Sequence, residues 1–261
     1  EAFIKTYEET LAMVKEVEQL RINPADYAYE ITKTGKRDDS VVNHRIYRQK
    51  QEGLYYVEYH PVGGDANVEH LLSALDYAVT LDQVEARIAP DQSLYFINLT
   101  ADEARKIADL TDDSAINEFR RSVSCVGSTV CQIGIQDSNG LLKAIFTHLE
   151  AKGVDTRKLP RLHISGCPHS CGTHQIGEIG FHGSVKLVDK KPTVSFMLVD
   201  GGSEHMGSEN FGKMAGHIVA TKIPEFMEAL ANKLNEAPEP DFGTWRLTHK
   251  GEYMELIKAF E

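Results

Sequence analysis

The sequence lacks any apolar run of about 18 residues, which excludes a membrane-spanning helix within it. It also lacks the apolar N-terminal stretch of a secretory signal, so we expect a cytoplasmic protein. Residue 1 is Glu rather than Met, which suggests that the chain is part of something longer. A basic excess is absent too, because 28 Lys and Arg face 39 Asp and Glu, for a net charge of −11. Since nucleic-acid binding needs a basic face, we expect neither nucleic acid nor membrane as a partner.

The charge is nevertheless uneven along the chain. Between Arg120 and Lys191 there are ten Lys and Arg against five Asp and Glu, a balance of +5, so the remainder carries −16. A basic segment in an acidic protein favours contact with an anion, although chance clustering of solvated charges would give the same count.

The order of the predicted elements indicates an α+β protein. Helical spacing of apolar residues predicts a leading helix over 2–20, and the polar stretch 23–51 is typical of a connecting arm, so 1–52 form a first segment. Residues 53–113 then follow the pattern strand, helix, strand, strand, helix of a ferredoxin-like half-domain. These elements are predicted at Leu54–His60, Asn67–Val79, Val84–Ala89, Leu94–Leu99 and Ala101–Leu110, the last with a capping box of Thr100 and Glu103.

Residues 114–261 are predicted to form a mixed α/β domain. Its helices are expected at Gln132–Lys152 and Pro224–Leu234, and its strands at Arg161–Ile164, Glu178–Val188 and Thr193–Val199.

Cysteine is scarce, and its spacing is the most informative pattern in the chain. Five residues separate Cys125 from Cys131, and three separate Cys167 from Cys171. Four soft thiolates from two loops suit a zinc ion or an iron–sulfur cluster. Zinc sites favour about two to four residues between paired ligands, so the wider first gap fits zinc less well.

Both cysteine loops are rich in small residues, which let backbone N–H groups approach cluster sulfurs. Four cysteines in 261 residues are sparse for a fold stapled by disulfides. The residues alone therefore favour an iron–sulfur cluster, with zinc next and disulfides or free thiols last.

The second cysteine loop and the strand after it resemble the nitrite and sulfite reductases that use sirohaem and a 4Fe–4S cluster. The residues that carry the resemblance are Ser165-Gly-Cys-Pro-His-Ser-Cys-Gly-Thr-His-Gln-Ile-Gly-Glu-Ile-Gly-Phe181. The upstream cysteine pair and the long gap between the pairs also fit that family. The resemblance covers most of the chain and identifies it as the C-terminal, cluster-bearing half. It implies a ferredoxin-like half-domain at 53–113 and a sirohaem and cluster-binding domain at 114–261.

The resemblance implies a six-electron reduction of nitrite to ammonia at a sirohaem coupled to a 4Fe–4S cluster. Cys125, Cys131, Cys167 and Cys171 would ligate the cluster, and Cys171 would also bridge to the sirohaem iron. The implied partners are a small oxyanion, an electron donor such as ferredoxin or a reductase chain, and the missing N-terminal half or a companion subunit.

Further site residues follow from the same resemblance. Arg121, four residues before Cys125, is the first candidate for contact with a sirohaem carboxylate or with the substrate, and Arg120 is the second. Arg87, which begins a strand–turn typical of the family, is another expected cofactor contact. His169 lies where many family members have Asn, and it could donate a hydrogen bond to a cluster sulfur.

His174 and His182 could relay protons, although a solvated or core position is the simpler interpretation. Gly127 in the first cysteine loop and the His-Ser of the second are more typical of nitrite than of sulfite reductases. Sulfite reduction to sulfide is therefore the alternative activity. A cluster-only electron-transfer module without sirohaem and a zinc-stabilised structural domain are the alternatives from other classes.

Overall fold

The computed structural model describes residues 2–15 and 30–261. It divides into two compact units, 1–33 and 34–261. Helix α1, Ala2–Lys15, belongs to the first unit, and it begins where the leading helix is predicted. The remainder of that predicted helix, 16–20, lies outside the described residues. Among the helices of 2–15 and 30–261, not one combines the length and the apolar character needed to cross a membrane.

The second unit begins with a four-stranded antiparallel sheet. The strands are β1 Ile46–Arg48, β2 Tyr55–Tyr59, β3 Glu85–Ile88 and β4 Leu94–Leu99, in the order β1-β2-β4-β3. Two helices accompany it, α2 Val68–Ala78 and α3 Ala101–Leu110. The predicted sequence of strand, helix, strand, strand, helix is confirmed, and so is the α+β class.

The predicted connecting arm contains a strand that the sequence did not indicate. β1 pairs with β2, with Ile46 opposite Val57, and occupies the edge of the sheet. Three residues are too few to show a two-residue periodicity, and their neighbours are polar. The part of the arm at 23–29 lies outside the described residues.

Local signals account for the helix boundaries of this sheet. Asn67 caps α2, since its side chain accepts hydrogen bonds from the backbone N–H groups of Glu69 and His70. The capping box of Thr100 and Glu103 is present at the start of α3. The buried faces of the helices and strands then form one apolar core, which includes Val57, Phe96 and Ile107.

A five-stranded sheet follows, with the order β5-β6-β7-β8-β9. Its strands are β5 Val123–Ser124, β6 Leu162–Ser165, β7 Ile179–Val188, β8 Lys191–Asp200 and β9 Lys213–Val219. The first three strands are parallel and the last three antiparallel. Four α-helices belong to the same part of the chain, α4 Ser138–Ala151, α5 Ile223–Glu236, α6 Phe242–Thr248 and α7 Lys250–Phe260.

Helix α4 begins six residues later than predicted. Asp137 caps it by accepting a hydrogen bond from Gly140 N, and residues 132–137 form turns instead. Strand β9 and helices α6 and α7 were not predicted, and they complete the core around Ile218, Trp245 and Tyr253.

The two sheets belong to the same compact unit. Ala115 N donates to His60 O over 2.9 Å, and Gln92 Nε2 donates to Ser124 O over 2.7 Å. Gln92 thus links the β3–β4 turn to the strand that leads into the first cysteine loop. The boundary proposed at 113/114 stays a prediction.

Candidate functional site

The two cysteine loops begin at neighbouring strand ends. Cys125 directly follows β5, and Cys167 follows β6 by two residues. Because β5 and β6 are parallel, with Ser124 opposite Ile164, both loops leave the same edge of the sheet. The sequence pattern alone did not reveal this pairing, since β5 is only two residues long.

Backbone hydrogen bonds join the loops to each other. Ile135 N and Gln136 N both donate to Gly166 O, over 3.1 and 2.8 Å. Gly166 N in turn donates to Cys125 Sγ over 3.1 Å. A Cβ atom at position 166 would lie 2.5 Å from Gln136 O, so only glycine allows this approach. The second loop thereby supplies an N–H donor to a sulfur of the first, as expected for a site that tunes thiolate ligands.

The first loop is also held from within. Cys131 N donates to Gly127 O over 2.9 Å, and Gly127 has a φ of 68°, which favours glycine. Ser138, the first residue of α4, donates from Oγ to Cys125 O over 2.8 Å and lies 3.0 Å from Cys125 Sγ. The first residue of the loop is therefore in contact with the first residue of α4.

All four thiols are free. Cys167 is buried, Cys125 and Cys131 are half-buried, and Cys171 is exposed. Cys171, at the end of the second loop, is thus the most accessible of the four cysteines.

Four free thiols are a donor set that either an iron–sulfur cluster or a zinc ion can use. Tetrahedral zinc with Zn–S bonds of about 2.3 Å would bring its sulfurs to ~3.8 Å of one another. Within 2–15 and 30–261, each trio of possible ligand atoms lying within 4.8 Å of one another consists of carboxylate and imidazole groups, without a cysteine. Within the described residues, no three of the four thiols therefore lie as close together as one tetrahedral ion would hold them.

The expected arginine contacts lie in different surroundings. Arg121 forms ion pairs with Glu58 on β2 and, over 2.9 Å, with Glu118. Burial lowers the pKa of Arg121, but the two carboxylates outweigh it and hold that pKa above its ordinary value. Arg161 reaches Glu118 as well, over 3.2 Å, so these side chains form a network between the sheets.

Arg120 lies next to Arg121 in sequence but contacts other groups. It forms an ion pair with Glu150 on α4, and its guanidinium lies 4.5 Å from the ring centroid of Phe146. Arg87 is exposed on β3 and pairs with Glu85 over 2.8 Å. His169 is exposed in the second cysteine loop. The three arginines thus pair with different acidic residues.

A buried polar group beside Arg121 was missed from the sequence. His60 Nδ1 lies 2.9 Å from Ser93 Oγ, which donates to Glu58 Oε1 over 3.3 Å. Burial lowers the pKa of His60 to about 4, so the ring is neutral near pH 7. The sequence signal for this buried group was the presence of Glu58 and His60 at the end of an otherwise apolar strand pattern.

Three more buried histidines lie on β6, on β7 and in the segment between these strands. His163 Nδ1 lies 2.8 Å from Thr173 Oγ1, and His174 Nδ1 lies 2.9 Å from Ser165 Oγ. The rings of His174 and His182 are 4.8 Å apart. Burial lowers the pKa of both His163 and His174 to about 4. His174 and His182 are buried, which agrees with the core position weighed for them.

Curated relatives match the chain by sequence. A ferredoxin–nitrite reductase from Synechococcus elongatus is 31% identical over 193 residues, covering 71% of this chain and 37% of the relative. The chloroplastic ferredoxin–nitrite reductase of Spinacia oleracea is 26% identical, covering 74% and 34%. A sulfite reductase (NADPH) hemoprotein beta-component from Lysinibacillus sphaericus is 28% identical, covering 43% and 22%. The chain thus spans about a third of the length of the nitrite reductases it matches.

Solved structures share the fold. The Mycobacterium tuberculosis NirA protein matches with a TM-score of 0.64 at 20% identity, over 82% of this chain and 41% of that chain. Dissimilatory sulfite reductase I matches with a TM-score of 0.56 at 9% identity, over 78% and 69%. No family model matches the chain. The resemblance to nitrite and sulfite reductases is confirmed by these relatives.

Proposed function

We propose that this chain, a relative of nitrite and sulfite reductases, is the cluster-bearing part of a sirohaem enzyme that reduces nitrite to ammonia. The observation that carries the proposal is that the two cysteine loops follow the neighbouring parallel strands β5 and β6 and are hydrogen-bonded to each other. Gly166 joins them, because its carbonyl accepts from the first loop and its N–H donates to Cys125 Sγ. Free thiols on glycine-containing loops provide the ligand type and the backbone donors that such clusters use.

The ligand assignment follows from the residues present. Cys125, Cys131, Cys167 and Cys171 would hold a 4Fe–4S cluster, and Cys171 would also bridge to the sirohaem iron. The exposure of the Cys171 thiol supports a contact beyond this chain. When bound, the two groups supply single electrons and an open iron position for a small oxyanion.

The Lys and Arg side chains of this chain would form ion pairs with the carboxylates of sirohaem and with the substrate anion. The +5 balance between Arg120 and Lys191 supports such a contact. Arg121 is the first candidate, although a carboxylate from outside must compete with Glu58 and Glu118 for its guanidinium. Arg120, Arg87 and His169 are further candidates for the same role.

Two features support nitrite over sulfite. Gly127 and the His-Ser of the second loop are typical of nitrite reductases. The nitrite reductase relatives also align over 53% to 74% of this chain, against 43% for the sulfite reductase relative. Turnover assays with each anion, in the presence of the companion half, decide between them; a higher kcat/KM for sulfite would reverse the assignment.

We further propose that the functional pocket needs residues outside this chain, because the chain spans about a third of its nitrite reductase relatives. The companion is a missing N-terminal half or a separate subunit. Ferredoxin is the proposed electron donor, since both nitrite reductase relatives carry it in their names. A cytoplasmic location stays a prediction.

The first experiment measures metal and sulfide content. After anaerobic reconstitution, we expect about four iron and about four sulfide per chain, with little zinc. Stoichiometric zinc and a colourless protein would favour a structural zinc domain instead. Replacing Cys125 or Cys131 by Ser should lower the iron content, whereas Ser208→Ala, at an exposed loop serine, serves as the control.

The second experiment tests the bridge. In the complex with sirohaem, we expect Soret and red-region absorption bands in addition to the broad cluster shoulder. Cys171→Ser should disturb both features, while Cys125→Ser should act first on the cluster. A preparation that shows only the cluster shoulder, even with the companion half present, would support a cluster-only electron-transfer module.

A further inference from the structure

The second cysteine loop rests on β6 through two pairs of histidine and hydroxyl groups. His163 and Ser165 are alternate residues of β6, so their side chains lie on the same face of the sheet. His163 Nδ1 lies 2.8 Å from Thr173 Oγ1, and Ser165 Oγ lies 2.9 Å from His174 Nδ1. Two consecutive loop residues, Thr173 and His174, are thus attached to the strand that precedes the loop.

A third hydrogen bond continues this attachment towards the cysteines. Gly172 N donates to Ser165 Oγ over 3.0 Å, and Gly172 directly follows Cys171. A Cβ atom on Gly172 would overlap Ile164 O, so the loop backbone lies directly against β6 at this point. Ser165 therefore connects His174 with the backbone beside Cys171.

The loop backbone around Cys171 is unusual. Ser170 and Thr173 have φ angles of 60° and 52°, in the left-handed region that residues other than glycine rarely adopt. Such conformations persist when the surrounding contacts outweigh their cost. Because His163, Ser165 and His174 are nearly fully buried, their hydrogen bonds are protected from exchange with water.

We propose that His163 and His174 are positioning residues that hold the Cys167–Cys171 loop in its ligand-presenting shape before any cluster binds. This inference rests on the proposed function, because it assigns the loop to cluster binding. A preformed loop loses little conformational freedom when its ligands engage, so it retains a cluster longer.

The test compares His174→Leu and His163→Leu with the conservative His174→Gln, in the full chain. His217→Leu is the matched control, because His217 Nε2 lies 2.9 Å from Ser195 Oγ on β8. His217 belongs to β9, at the opposite edge of the sheet from β5. The control thus removes the same kind of hydrogen bond away from the cysteine loops.

The first readout needs no cluster. Hydrogen–deuterium exchange of the apo chain should accelerate about fivefold at Gly172 in His174→Leu, the factor that corresponds to one net hydrogen bond. In His217→Leu, exchange across 166–177 should not change. Equal exchange in the two variants would overturn the inference.

The second readout is the half-life of the reconstituted cluster under an anaerobic chelator, followed by its visible absorbance. We expect it to fall about fivefold in both leucine variants, to recover largely in His174→Gln, and to stay unchanged in His217→Leu. If His174→Leu fails to fold, Ser165→Ala removes the hydroxyl that links His174 to Gly172 with a smaller change of volume. Wild-type protein that never takes up iron would contradict the proposed function, whereas the exchange data would still decide on the loop attachment.

Discussion

The ion pair between Arg121 and Glu58 offers a quantitative test of how the two sheets are held together. Glu58 lies on β2 with 4% of its side chain exposed, and Arg121 precedes β5 with 17% exposed. In Glu58→Gln, the guanidinium stays buried but loses the nearer of its carboxylates. Removing one partner of a buried pair costs about 3–5 kcal/mol, because the remaining charge is left uncompensated.

Arg121 keeps Glu118 at 2.9 Å, so we expect the lower end of that range, about 3 kcal/mol. For a unit of this size, each kcal/mol lowers Tm by roughly 2–4 °C, and the expected decrease is therefore ~6–12 °C. Urea unfolding should show a lower midpoint with an unchanged m-value.

Glu150→Gln is the matched control, since it removes the partner of the neighbouring Arg120 at a side chain that is 64% exposed. Exposed pairs contribute about 0–1 kcal/mol, so this variant should lose little stability. The double variant Glu58→Leu, Arg121→Met should recover much of the loss, because apolar residues replace both charges. A Glu58→Gln variant as stable as Glu150→Gln would refute the reasoning.

Three further predictions concern pH, backbone packing and thiol access. The three histidines whose pKa is lowered to about 4 take up protons at lower pH than the unfolded chain does, so stability is full above about pH 6.5 and falls on acidification. The loss between pH 7 and pH 5, measured by urea unfolding, should be on the order of 2 kcal/mol per histidine; equal stability at both values would argue against neutral buried rings. Gly172→Ala should destabilise the chain by about 3 kcal/mol in thermal unfolding, because its Cβ would overlap Ile164 O, whereas Gly251→Ala, with open space around it, should be neutral or stabilising. In the native apo chain, mass spectrometry should find Cys171 alkylated first and Cys167 last, in the order of their exposure, and the reverse order would contradict the loop geometry described above.

Elements with strong local signals were predicted well from the sequence. Strand β4 and helix α3 have the predicted bounds, because an almost continuous apolar run marks the strand and the Thr100–Glu103 capping box marks the start of the helix. Helix α4 was predicted too long. Its apolar pattern extends backwards through Ile133 and Ile135, but Asp137 caps the helix and the preceding residues bond to the other cysteine loop.

Elements that depend on distant partners were missed. Strand β1 has three residues, and it is defined by its pairing with β2 rather than by its own pattern. Strand β5 was missed for the same reason, since it has two residues and pairs in parallel with β6. The short helix α6 depends on tertiary packing, through the buried Phe242 and Trp245.

For the candidate site, the cysteine spacing predicted a set of ligands but not the residues that pack around them. The pairing of Arg121 with Glu58 joins positions 63 residues apart, which no local pattern reveals. The polar residues His163 and Ser165 on a fully buried strand were the visible signal for the loop attachment. A buried strand rarely carries polar side chains without partners. Here the partners are Thr173 and His174, which lie between Cys171 and β7.

We propose above all that the two cysteine loops enclose iron. Crystals of the anaerobically reconstituted chain, measured on both sides of the iron absorption edge, test it most directly. We predict one compact anomalous peak, within bonding distance of the sulfurs of Cys125, Cys131, Cys167 and Cys171. An anomalous signal at the zinc edge instead, or an iron peak away from these four sulfurs, would contradict the account.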